Sequence, residues 1–142
     1  MVDVGTKPTS HREAVACGRI RLAPATLTLL RGHRLRKGNV LVTAELAGIQ
    51  TAKRTAELIP LCHQVALSHV RVRCELIPSG VEVCAAATCA GQTGVEMEAL
   101  TATSVALLTI YDMCKAVDKK MVIGPLRLVR KTKTPLTEKE QP

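Results

Sequence analysis

Three short stretches carry side chains able to move protons. In "GVEMEAL", residues 94–100, Glu96 and Glu98 stand two positions apart at what reads as the opening turn of a helix. In "YDMCKAV", residues 111–117, Asp112 and Lys115 stand three apart and so share a helical face. In "IPLCHQ", residues 59–64, His63 follows a helix-stopping proline and carries the side chain best suited to proton transfer near neutrality. Four further cations could hold an anion. Lys37 sits in the basic loop "RLRKGN", Lys53 on the central helix, and Arg12 and Lys131 flank the domain. Each candidate also has a plainer use. Thr93 and Glu96 have the spacing of a capping box, and an acid at 98 suits the start of a helix dipole. Asp112 and Lys115 could be an ordinary helical ion pair, and His63 a hydrogen-bonded structural imidazole. Neither GxxxxGK[ST] nor GxGxxG is present.

The elements that must position these groups are legible from periodicity. "EAVACGRIRL", 13–22, has strand character, with Gly18 a plausible bulge. "APATLTLLRGH" reads as a helix with Pro24 in its first turn and Gly32 as its stop. From Asn39 to about Leu58, Val42, Leu46, Ile49 and the stem of Lys53 recur at helical spacing. Gly48, midway, marks a kink or a close helix contact, and Pro60 bounds the segment. Residues 69–76 and 81–89 alternate apolar and polar across "IPSG", which predicts a β-hairpin. A helix is expected from Val95 to Val117. A last strand, 122–130, carries Pro125 and so belongs at an edge or a bulge. Residues 1–12 read as polar and extended, 132–142 as a loose polar tail. The order strand, helix, helix, strand, strand, helix, strand predicts an α+β fold: a ferredoxin-like antiparallel sheet with helices on one face and one extra helix. The length, 142 residues, predicts one domain, residues 1–142.

Composition narrows the class. With no Phe or Trp and one Tyr, the core must be built from Leu, Val, Ile, Ala and Cys, or share burial with partner subunits. The six cysteines have no CxxC or zinc-type spacing, so a reduced, cytoplasmic chain without a metal site is expected. No apolar run approaches the ~20 residues that span a bilayer, and no leader is evident, so no membrane partner is expected. The net charge of +8 is uneven: +6 over residues 1–40, −3 over 41–114 and +5 over 115–142. Basic ends around an acidic middle suit an anionic ligand. The lack of aromatic stacking platforms argues against nucleic acid.

Helix geometry then constrains the site. At 1.5 Å per residue, Glu98 and Asp112 are about 20 Å apart on an unbroken helix. No Gly or Pro intervenes to break it. If both act on one small substrate, the site must join the start of one chain's helix to the end of another's, which requires a symmetric homo-oligomer.

Four long stretches, "MVDVGTKP", "KGNVLVTAELAGIQTAKRTAELIPLCH", "GQTGVEMEALTATSVALLTIYDMCKAV" and "MVIGPLRLVRK", closely resemble the cyclic pyranopterin monophosphate synthase family, protein C of molybdenum cofactor biosynthesis. The likeness spans about residues 1–131. It implies rearrangement of 3′,8-cyclo-7,8-dihydro-GTP to a pyranopterin with a cyclic phosphate and release of pyrophosphate, without metal or organic cofactor. It also implies a ferredoxin-like fold and hexamers, trimers of dimers, with sites between subunits. Carried over by motif, Asp112 and Lys115 are the expected catalytic pair, with Lys37 assisting. Leu61, Cys62, His63, Glu96, Met97 and Glu98 match the substrate-binding segments. Lys53, Arg12 and Lys131 match basic positions that would hold the triphosphate. The chain departs from the family at its end, where "KTKTPLTEKEQP" replaces a Gly-rich tail.

Overall fold

The computed structural model describes residues 1–136. Strand β1 (Ser10–Arg21) leads into helix α1 (Pro24–Arg31), then α2 (Val40–Ala52) and a single turn, α3 (Thr55–Leu58). The hairpin β2 (Leu67–Ile77) and β3 (Gly80–Gly91) follows, then α4 (Glu96–Cys114) and β4 (Val122–Pro135). The sheet order is β2-β3-β1-β4, and every pairing is antiparallel. That is the α+β, ferredoxin-like order expected from the sequence.

Alternation decides which face of the sheet is covered. Ala14, Ala16, Gly18 and Ile20 of β1 and Val81, Val83, Ala85, Ala87 and Cys89 of β3 are buried, while the residues between them are half-buried or exposed. α4 packs on the buried face over β1 and β3, and α2 lies beside it over β2. Ile20, Leu107 and Ile110 are among the largest fully buried side chains, each contributing about 1.5–3 kcal/mol by burial. Under the first turns of α4 the core is made of small residues, Ala14, Ala16, Ala87, Cys89, Val95 and Ala99. The helix start therefore rests close to the sheet.

α2 reverses the face that its larger residues suggest. Its buried stripe is Val40, Ala44, Gly48 and Ala52, while Val42 and Leu46 are 48% and 56% exposed. Gly48 marks a close helix contact and not a kink. A Cβ there would lie 2.9 Å from the Ala102 carbonyl oxygen of α4 and 3.1 Å from a Val72 methyl.

Other expectations are corrected. The helix expected over 39–58 breaks at Lys53 and Arg54, where Arg54 sits at φ −118°. The Thr51 hydroxyl donates to the Ala47 carbonyl within the last turn of α2, and the Thr55 hydroxyl donates to the Ala52 carbonyl across the break. β1 does not bulge at Gly18. Its register with β3 is continuous there, and the shifts fall in its pairing with β4, where Gly124 and Pro125 together face one residue. Pro125 thus lies on an edge strand and at an irregularity. The tail begins later than residue 132, because β4 pairs with β1 as far as Ser10↔Pro135. The remainder of the expected tail, 137–142, lies outside the described residues.

The cysteines are not all reduced. Cys17 and Cys84 stand directly opposite each other on β1 and β3, with Cα atoms 4.2 Å apart, and form a disulfide on the helix-free face. Spacing could not show this, because the pair exists only once the strand register is known. Cys74, Cys89 and Cys114 are free and buried, as small hydrophobes.

Candidate functional site

The expected residues collect into two groups at opposite ends of α4. At its C-terminal end, one Asp112 carboxylate oxygen lies 2.6 Å from Lys115 Nζ and the other 2.6 Å from Lys37 Nζ. Lys37 also donates to the Asp112 backbone carbonyl at 3.2 Å. Local structure explains the meeting. Lys115 follows Asp112 by three helical positions, whereas Lys37 is delivered by the loop before α2. That loop is anchored by buried Leu35 and ends at Asn39, whose side chain caps α2 by accepting from the Val42 N–H. Hydrogen bonds from Lys115 and then Lys37 hold the Asp112 carboxyl down at about 2, and the same bond raises Lys115. At neutral pH the cluster is one carboxylate between two ammonium groups, all three open to solvent.

At the other end, Leu61, Cys62 and His63 from the loop after α3 meet Glu96 and Met97 from the first turn of α4. Together they line an open pocket of about 320 Å³ that Ile59, Val65, Thr93 and Gly94 complete. A second pocket of about 290 Å³ shares Gly94 and Glu96 with it and brings in Arg12, Lys131 and Lys133. Lys53, at the end of α2, lies in a hollow that adjoins the first pocket through Val65.

Glu96 does not cap its helix. α4 opens at Glu96 itself, Val95 is the N-cap, and no side chain caps the end. The Glu96 carboxylate instead lies 3.3 Å from Lys131 Nζ on β4, so the capping-box reading is overturned by a partner remote in sequence. Glu98 is 3% exposed, and its Oε2 has no hydrogen-bond partner among the described residues. Burial, helped by the charge of Glu96, pushes its carboxyl above the ordinary carboxylate range. Its charge helps to raise the thiols of Cys62, which lines the pocket, and of buried Cys89. Buried Arg12 Nε and Ser10 Oγ are likewise unpartnered.

Sequence reasoning missed the loop 92–94 as a wall of this end. Gln92 accepts at its carbonyl from Arg12 at 3.3 Å, and Gly94 leaves room for Glu96, since a Cβ at 94 would occupy the space of its carboxylate. The two glycines of "GQTG" were the available signal. Sequence reasoning also missed Asp118, which is structural: it is buried and accepts from the Ala23 N–H at 2.8 Å, the Thr26 hydroxyl and the Lys120 N–H.

α4 runs unbroken from Glu96 to Cys114, so Glu98 and Asp112 are held about 20 Å apart along it. One chain brings together Asp112, Lys115 and Lys37, and separately brings together the pocket residues. It does not unite the two groups. Among the described residues, no group of three or more His, Cys, Asp or Glu is arranged to hold a metal ion, and no helix is long and apolar enough to cross a membrane.

Comparison with known proteins places the chain. The profile of the MoaC family matches residues 1–134. A cyclic pyranopterin monophosphate synthase of Chloroflexus aggregans is 58% identical over 133 residues, covering 92% of this chain and 81% of the relative. Its namesake in Roseiflexus sp. (strain RS-1) is 56% identical over 134 residues, 93% of this chain and 85% of the relative. Another, from Parvibaculum lavamentivorans, is 57% identical over 134 residues, with shares of 93% and 84%.

Proposed function

The chain belongs to the MoaC family, and we propose that it catalyses the reaction for which its relatives are named. It forms cyclic pyranopterin monophosphate, in molybdenum cofactor biosynthesis, from 3′,8-cyclo-7,8-dihydro-GTP with release of pyrophosphate. The observation that carries the reading is the Asp112 carboxylate clamped at 2.6 Å by both Lys37 and Lys115. A site that only bound phosphate would have no use for a carboxylate between its cations. An acid/base site needs both kinds of group within reach of each other.

The division of labour follows from the charges. Opening and rebuilding the purine-derived ring requires proton donors and acceptors, which Lys115, Lys37 and Asp112 supply. Expelling pyrophosphate concentrates negative charge, which ammonium and guanidinium groups stabilise as it develops. Arg12, Lys53 and Lys131 hold the triphosphate, and His63, Glu98, Glu96, Met97, Leu61 and Cys62 seat the base portion. Because α4 keeps its two ends apart, the working site joins the pocket of one copy to the Asp112 cluster of another. A two-fold axis passing beside α4 at the level of Val105, midway between Glu98 and Asp112, would make both junctions at once. The exposed apolar side chains Val42 and Leu46 of α2 and Leu108 of α4 lie on the outer surface such a partner would cover. A hexamer built as a trimer of these dimers is the assembly proposed.

Anaerobic turnover of the cyclised GTP intermediate tests the activity, scoring pyranopterin and pyrophosphate. The wild type should turn over. Asp112→Asn and Lys115→Ala should each lose about a thousandfold or more, comparable to removing a general acid/base, with thermal unfolding unchanged. A folded wild type that makes no product would overturn the reading.

A further inference from the structure

The segment ahead of β1 is tied to the pocket by side chains at the pocket's edge. His63 Nε2 lies 2.7 Å from the Val2 carbonyl oxygen. Gln92 Nε2, next to the pocket residue Thr93, donates to the Gly5 carbonyl at 2.9 Å. The segment is also shaped from within, since the Gly5 N–H donates to Asp3 Oδ1 at 2.8 Å and the Lys7 N–H to the Val4 carbonyl at 3.0 Å. Met1 and Val2 are about three-quarters exposed, so hydrogen bonds and not apolar burial hold the segment in place.

One contact has a consequence for proton chemistry. A carbonyl oxygen can only accept, so the 2.7 Å approach requires a proton on His63 Nε2. The neutral imidazole is then the Nε2–H tautomer, and its lone pair is on Nδ1. Imidazoles are commonly fixed this way by a carbonyl on the nitrogen that does not act.

We propose that the segment Val2–Lys7 is a positioning strap: its Val2 carbonyl fixes the tautomer and ring orientation of His63, leaving Nδ1 as the proton acceptor that the pocket offers its ligand. This rests on the reading that the pocket seats the base portion of the substrate, and it assigns the N-terminal segment a part in that seating.

The tautomer can be read without substrate. The full chain is labelled with ¹⁵N-histidine, and His63 is identified among the four histidines by the signals that His63→Asn removes. Long-range ¹⁵N–¹H correlation then reports which ring nitrogen is protonated. The wild type should show Nε2 protonated and Nδ1 bare. The full-length double variant Asp3→Ala/Gln92→Ala removes the internal turn and the Gly5 tie while keeping the Gln92 backbone carbonyl that accepts from Arg12. It should show mixed tautomers, and kcat on the cyclised GTP intermediate should fall about tenfold with KM nearly unchanged. A wild-type His63 protonated on Nδ1, or a double variant with unaltered tautomer populations, would overturn the strap. A tautomer shift in a chain that turns over no substrate would uphold the strap and defeat the proposed activity instead.

Discussion

Two carboxylates of one helix are driven in opposite directions by their surroundings. Asp112, in solvent between two ammonium groups, is held at about 2, whereas burial lifts Glu98 above the usual range. Separating the ionisation of paired acids is how a site assigns them different roles. The Glu98 case has a thermodynamic sign. Its pKa is raised in the folded chain, so its folding contribution is full below the ordinary value near 4.5 and is lost as pH rises through the folded value. As pH rises past that range, the charge appearing on the buried, unpaired carboxylate works increasingly against the fold. Glu98→Gln, which keeps the shape and removes the charge, should raise stability at pH 7 relative to wild type, and the gain should shrink toward pH 4. Thermal unfolding at the two pH values checks this, and an equal difference at both would contradict it. Activity should be lost all the same.

At the scale of elements, the contact that sets the frame is α2 against α4 at Gly48. Gly48→Ala would press a methyl against the Ala102 carbonyl oxygen, part of the α4 backbone, which cannot swing aside as a side chain can. A loss of about 1–3 kcal/mol in denaturant unfolding is expected, as for an overpacked core. An unchanged midpoint would show that the helices are free to separate there. The sequence announced this glycine, the β2–β3 hairpin and the length of α4, because each rests on local spacing. What stayed hidden depends on partners distant in the chain. The bridge between Cys17 and Cys84 needs the strand register, and Glu96 looks like a cap until Lys131 is brought beside it by β4. β4 runs on through the polar "KTKTP" because its backbone pairs with Ser10–Ala14, with no apolar alternation to betray it. The break after Ala52 was invisible because no Gly or Pro marks it; the Thr55 hydroxyl takes the Ala52 carbonyl across it. For the same reason the cluster at Asp112 was only half legible: Lys115 is a helical neighbour, and Lys37 arrives 75 residues away in sequence.

Over the whole molecule, the uneven charge resolves into a layout. The basic first segment supplies Arg12 at one end of α4 and Lys37 at the other, and the basic last segment supplies Lys131 and Lys115 at the same two ends. Both ends are thereby prepared for an anionic substrate, yet a rigid helix keeps them about 20 Å apart. The central claim is that two copies complete one site, and complementation tests it most directly. Chains carrying Asp112→Asn and chains carrying Glu98→Gln, each inactive alone, are co-expressed in equal amounts and assayed for pyranopterin formation. If each site takes its pocket from one copy and its Asp112 from another, random assembly leaves about one quarter of sites with both groups intact, and activity should return to roughly that fraction of wild type. A mixed assembly no more active than either variant would mean that each site is built within a single chain.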